Sequence, residues 1–218
     1  MAGPARHNRR YAPLFYLPNI ISYIRIALSF YGLYSVQSTL QNGGEGVTTL
    51  FPFVFAAGLD FVDGIAARKL GQCTALGVIL DIVADNVLRT CTWIAVAVVN
   101  PKLVLLSAFV IALEWTTMLS TQMYSSSRDK HWKDSTASEL PRFVSIVFKD
   151  GFRNPYGAWI ICSLFFCPLI LLALSSDGMI GDDWKHTVGL LCRIFNLGRG
   201  ASAVVEVYFI WRYVKSIL

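Results

Sequence analysis

Residues 58–85 read GLDFVDGIAARKLGQCTALGVILDIVAD, and eight of them form the pattern D-x2-D-G-x2-A-R-x8-G-x3-D-x3-D: Asp60, Asp63, Gly64, Ala67, Arg68, Gly77, Asp81 and Asp85. The pattern sets four carboxylates into some of the most apolar sequence of the chain. An uncompensated charge there costs on the order of several kcal/mol. Two divalent cations sharing oxygen ligands are the simplest compensation, because hard cations turn the mutual repulsion of carboxylates into coordination.

Spacing carries the argument further. Asp60 and Asp63 are three residues apart, and Asp81 and Asp85 are four apart, so on helices each pair occupies one face. A short connection makes the two helices antiparallel and brings the pairs to one depth. Gly64, Ala67 and Gly77 keep the surroundings small enough for a phosphate to approach backbone and metal, and Arg68 is placed to meet its charge. Two other readings of the acids stand beside this one: ion pairs with Arg25, Arg68 and Arg89, or the lining of an ion pathway. Eight specified positions at fixed spacing favour the chemical reading.

Working outward, the 218 residues fit a single domain, residues 1–218, and 55% hydrophobic residues with mean hydropathy +0.52 exceed what a soluble domain of this length carries. Six stretches are predicted to span a bilayer as helices: Leu17 to Val36, Val47 to Ala67, Ala75 to Val99, Leu103 to Met123, Pro155 to Leu174 and Val188 to Ile210. The expected fold is therefore all-α and membrane-embedded. The basic, aromatic segment from Met1 to Tyr16 is expected to lie at the headgroup level. It leads into a full-length span without a small-residue cleavage site, so it is not read as a cleaved signal.

Basic residues alternate with the spans. Arg6, Arg9, Arg10, Arg68, Lys69, Arg128, Lys130, Lys133, Arg142, Lys149, Arg153, Arg212 and Lys215 fall on one side, against Lys102 and Lys185 on the other. Both termini and the aspartates are thus expected on the cytoplasmic side. The formal charge of +5 is spent on topology, with no basic block suited to nucleic acid. The five cysteines lack C-x2-C spacing and read as small hydrophobic fillers, and His7, His131 and His186 are too scattered for a metal site. Tyr124 to Asn154 is the one long polar connection, a lid or a linker, with F-V-S-I-V-F from Phe143 as a short interfacial helix or strand.

Three further features sit inside spans. Glu114 stands alone in an apolar run, either as a functional acid or as a partner of Arg89 or Arg25. Arg199 and Glu206, seven apart on one face, read as a structural pair. The six tryptophans read as interface anchors and span packing.

The signature resembles that of the CDP-alcohol phosphotransferases, which it matches at every position, and the likeness extends upstream to P-N-x2-S-x2-R at Pro18, Asn19, Ser22 and Arg25. The resemblance implies that Asp60, Asp63, Asp81 and Asp85 bind two Mg2+ or Mn2+ ions, and that Asp85 also serves as general base. It implies contacts from Gly64, Arg68 and Thr74 to the CDP part, with Ala67 and Gly77 beside it and Asn19 at the border of the site. A homodimer and transfer of a phosphatidyl group to an alcohol with release of CMP follow from the same likeness. Within the family, L-P-N-I-I-S-Y-I-R, the compact signature and I-L-D-I-V-A-D-N are similar to the eukaryotic phosphatidylinositol synthases, which implies CDP-diacylglycerol and myo-inositol as substrates at the endoplasmic reticulum. The likeness to those synthases breaks at two positions, since Asn86 stands where a basic residue is usual and A-L-E-W at Glu114 replaces a more polar D-x3-H-W.

Overall fold

The computed structural model describes residues 12–43, 46–128, 140–176 and 178–218, and among them the regular structure is helical. Six long helices are α1 (Leu17–Asn42), α2 (Gly46–Leu70), α3 (Ala75–Val99), α4 (Val104–Arg128), α6 (Pro155–Ser175) and α7 (Asp182–Ile217), with the short α5 (Arg142–Phe148) before α6. Each long helix holds one of the expected spans, with only Leu103 falling just ahead of α4. Among the described residues, α2, α3, α4, α6 and α7 are long and apolar enough to cross a bilayer. The chain is an integral membrane protein. Helix α1 does not meet that measure alone, because its buried face carries Asn19, Ser22, Arg25 and Ser29.

The helix ends follow local chemistry. Pro18 sits in the first turn of α1, where its missing N–H costs nothing. Thr74 caps α3 by accepting from the Gly77 N–H at 3.0 Å, and Asn154 caps α6 by accepting from the Gly157 N–H at 2.9 Å. Asn154 also donates to the carbonyls of Val147 and Lys149, which ties α5 to α6. Gly71 makes the sharp α2–α3 turn at φ +62°, a conformation a side chain disfavours.

Packing departs from that of a soluble domain on its outer surface and in the charges it buries, while Phe53, Leu88, Trp93 and Leu172 still form an apolar core. Large apolar side chains such as Leu105, Phe109, Phe30 and Tyr34 point outward, while Arg25, Asp63, Glu114, Arg199 and Glu206 are buried. Lipid solvates the outer apolar surface as well as a protein core would, so helices associate through close packing and polar contacts instead. Phe53 lies so near Gly32 that a Cβ there would meet its ring at 2.8 Å, and one on Gly198 would meet Ser163 Oγ at 2.0 Å. Those two glycines set the α1–α2 and α6–α7 approaches. Helix α1 packs along both α2 and α3, whereas α2 and α3 touch each other only slightly. The two aspartate helices bring their acid pairs together as expected, and α1 is the element that joins them.

Residues 1–11 and 129–139, and with them most of the expected headgroup segment, His7, His131 and Trp132, lie outside the described residues. The Phe143 run is helical, within α5. Cys91, Cys167 and Cys192 are buried fillers as expected, whereas Cys73 and Cys162 are exposed. Trp93 is core, Trp115 donates to Thr90 at 2.9 Å, and Trp184 and Trp211 are exposed.

Candidate active site

The four signature aspartates meet at one point, and Arg25 of α1 is at its centre. Its Nη1 donates to Asp63 at 2.9 Å and Asp81 at 2.8 Å, while Nη2 lies 2.9 Å from Asp60 and also donates to Asp85. The Arg25 side chain is wholly buried, Asp63 is 7% exposed, and Asp60 and Asp81 are 37% and 47% exposed. A guanidinium suits this place because its planar fork presents several donors at once. Arg25 was legible as one member of the upstream motif and as a pairing partner; its central position needed the fold.

One guanidinium against four ionised carboxylates leaves the cluster with a net negative charge, an environment that attracts cations. Oxygens of Asp60, Asp63 and Asp81 lie within 4.8 Å of one another. Ligands on opposite sides of a hard divalent cation stand roughly 4 to 5 Å apart, so this oxygen-only donor set fits such an ion. Asp85 lies outside that triad, one helical turn further along α3, with 26% of its side chain exposed.

Two cavities meet at Asp81 and Val78. The smaller, of 120 Å³, is lined among others by Asn19, Asp63, Gly64, Ala67, Thr74 and Gly77, and so gathers most of the residues assigned to the nucleotide side. Gly64 leaves open space there, since a Cβ would meet only the Arg68 guanidinium at 3.6 Å. Gly77 lines the same cavity, and a Cβ there would lie 3.0 Å from Asn19 Oδ1 and 3.3 Å from Thr74 Oγ1, so its smallness also accommodates these protein neighbours. Arg68 is exposed at the end of α2, beside Gly64 and outside the cavity lining. Gln72 closes the same end by accepting from the Leu17 N–H at 3.2 Å.

The larger cavity, of 340 Å³, opens on the other side of Asp81 between α3, α4, α6 and α7. Glu114 reaches it with Arg89 at 3.0 Å, and also meets Arg199 at 3.4 Å. Arg199 in turn pairs with Glu206 at 3.1 Å. The two features read separately in the sequence are thus one buried chain of charges. Arg89 additionally donates to Asn86 at 3.1 Å and lies 5.2 Å from the centre of the Phe165 ring.

Clustered carboxylates beside a small cavity within a membrane bundle suit a membrane protein that handles cations or phosphate, and likeness to known proteins is more specific. The family model for CDP-alcohol phosphatidyltransferases matches residues 15–175, and the chain belongs to that family. It is 35% identical over 125 residues to a probable CDP-diacylglycerol–inositol 3-phosphatidyltransferase of Arabidopsis thaliana, covering 56% of this chain and 53% of that protein. It is 25% identical over 183 residues to the CDP-diacylglycerol–inositol 3-phosphatidyltransferase of Rattus norvegicus, covering 80% and 79% respectively. A CDP-diacylglycerol–glycerol-3-phosphate 3-phosphatidyltransferase of Aquifex aeolicus is 41% identical over 71 residues, 33% of this chain and 37% of that protein. The chain spans about half the length of the plant relatives it matches. No solved structure matches it.

Proposed function

We propose that the chain transfers a phosphatidyl group from CDP-diacylglycerol to myo-inositol, giving phosphatidylinositol and CMP. The observation that carries this reading is the convergence of Asp60, Asp63, Asp81 and Asp85 on Arg25, with Asp81 lining both of two adjoining cavities; we assign the smaller cavity to the donor and the larger to the acceptor. The inositol relatives support the acceptor, and the glycerol 3-phosphate relative marks the main alternative within the same chemistry.

In this proposal Asp60, Asp63, Asp81 and Asp85 hold two Mg2+ or Mn2+ ions. Bound there, the cations supply the charge neutralisation that makes CMP a good leaving group. The chain's own residues do the rest. Asn19, Gly64, Ala67, Thr74 and Gly77 receive the CDP part in the smaller cavity, and exposed Arg68 meets phosphate charge at its rim. Asp85, beyond the triad, takes the proton of the acceptor hydroxyl. Arg25 keeps the carboxylates at one place, so positioning is built before substrates arrive and no covalent nucleophile is required.

The direct test is CMP release by purified protein in detergent with CDP-diacylglycerol and a panel of alcohols. Release is expected with myo-inositol, abolished by EDTA and restored by Mg2+ or Mn2+. Full activity in excess chelator would remove the metal reading.

We further propose six spans, with α1 crossing in company with α2 and α3, a single domain, a homodimer, and residence in the endoplasmic reticulum with both termini and the site facing the cytoplasm. The distribution of basic residues supports the orientation. Helix α7, at 36 residues, runs roughly 54 Å and projects beyond a hydrocarbon core of about 30 Å. Arg142→Cys, in a background without native cysteines, should react with an impermeant thiol reagent from the cytoplasmic face only. Labelling from the lumenal face of sealed vesicles would reverse the orientation.

A further inference from the structure

The larger cavity has mostly apolar walls, including Val78, Ile82, Phe148 and Phe209, and the charged groups set among them cancel. Arg89, Glu114 and Glu206 line it, Arg199 stands behind them bridging the two acids, and Asp81 lies at the junction with the metal-side cluster. Two guanidinium groups against two carboxylates leave the chain of four neutral. Glu114 is 5% exposed, Arg199 5% and Glu206 8%, so solvent does little to adjust this balance.

The pairing also leaves hydrogen-bonding capacity unused. Glu114 Oε1 and the Nε and Nη2 atoms of Arg199 are buried without a hydrogen-bond partner; the 3.4 Å ion contact joins Oε1 to Nη2, and of the two residues only Glu114 lines the cavity. Buried polar atoms of this kind are costly unless something completes them. Asn86, Thr117, Thr121, Gln122 and Ser202 line the same space; Thr117, Thr121 and Ser202 donate their hydroxyl hydrogens within the protein, which leaves their oxygens as neutral acceptors. A polyol presents hydroxyls that both donate and accept, and carries no charge to be neutralised. A phosphate monoester would bring up to two negative charges to a wall whose positive groups are already engaged, beside the acidic cluster at Asp81.

From this geometry we infer that the Arg89–Glu114–Arg199–Glu206 chain makes the larger cavity an acceptor site selective for uncharged polyols over phosphorylated alcohols, with Glu114 as the specificity-determining residue. The inference rests on the transferase reading above for the word acceptor, and deepens it. Glu114 acts by holding both arginines neutralised. Removing its charge frees one positive charge in a desolvated place, where a single charge mismatch shifts binding strongly.

The test is equilibrium binding of labelled myo-inositol and labelled glycerol 3-phosphate to purified protein with Mg2+ and CDP-diacylglycerol analogue present, alongside CMP release with the same alcohols. Wild type is expected to bind myo-inositol at least about tenfold more tightly than glycerol 3-phosphate. In Glu114→Gln, and independently in Glu206→Gln, that ratio should fall at least about tenfold, with glycerol 3-phosphate gaining affinity outright. Glu114→Asp, which keeps the charge, should leave the ratio near wild type even where overall activity drops. A structural role alone would weaken both ligands together. Unchanged ratios in both glutamine variants, or wild-type preference for glycerol 3-phosphate, would overturn the inference. Binding of myo-inositol with the expected ratios but no CMP release would instead defeat the transferase reading and leave the charge-selective cavity standing.

Discussion

Asp85→Asn is expected to lower kcat by about 10² to 10⁴-fold, the usual cost of losing a general base. The substitution keeps size and polarity while removing the charge and nearly all basicity. Three observations make Asp85 the residue to change. It lies outside the close triad of Asp60, Asp63 and Asp81, it stands one turn along the same helix from Asp81, and Arg25 still fixes its carboxylate. In the proposed mechanism the alcohol enters beside Asp81, and Asp85, one turn further along α3 and held by Arg25, takes its proton. The assay must be run at saturating Mn2+, with CDP-diacylglycerol binding measured separately. A base variant binds the donor normally and fails to turn over at every cation concentration, whereas a variant that has lost a metal ligand recovers as cation is raised. Turnover near wild type at ordinary metal concentration would sink the base assignment.

The elements of this fold were legible because membrane helices must satisfy their backbones internally and must be long. Residues 58–85 announced an unusual, acid-bearing helix pair, and the spans expected to begin at Leu17, Ala75 and Pro155 coincide with the starts of α1, α3 and α6. What sequence spacing could not convey was the third dimension. Asp60 and Asp63 share a face, as do Asp81 and Asp85, but the faces meet through Arg25 of α1, which is 35 residues before Asp60 along the chain. Periodicity reports which residues share a helix face and is silent on which other helix receives it.

Glu114 shows the same limit from the other side. A lone acid in an apolar run signals a cost that something must offset, and Arg89 and Arg25 were both in reach of that argument. The structure selects Arg89 and adds Arg199, from a helix about 85 residues further on, which no local pattern links to α4. Gly77 lines the smaller cavity as its place in the signature led one to expect, and a Cβ there would also crowd Asn19 and Thr74, a contact that spacing did not convey. A glycine in a signature reports close approach without saying what approaches.

Arg25→Met should cost the protein about 3–5 kcal/mol of stability, the range for breaking a buried ion pair and stranding its partner. The expectation is tempered for Asp60 and Asp81, which are 37% and 47% exposed and regain water readily. Asp63 is the costly one, at 7% exposure with Arg25 as its ion-pair partner, and Asp85 at 26% is intermediate. Methionine approximates the stem of arginine without its charge, so the packing of α1 against α2 and α3 is largely retained and the loss reads electrostatics. Arg25→Lys should recover only part of it, since one ammonium has three donors and cannot reproduce a planar fork that meets four carboxylates. Divalent cations provide the decisive comparison. If they bind the aspartates, Mg2+ or Mn2+ should raise the Tm of Arg25→Met more than that of wild type, because the variant has more negative charge left to neutralise. An Arg25→Met protein with wild-type Tm in EDTA would show that the guanidinium does not hold the cluster together, and the account of α1 as the helix that assembles the site would fall with it.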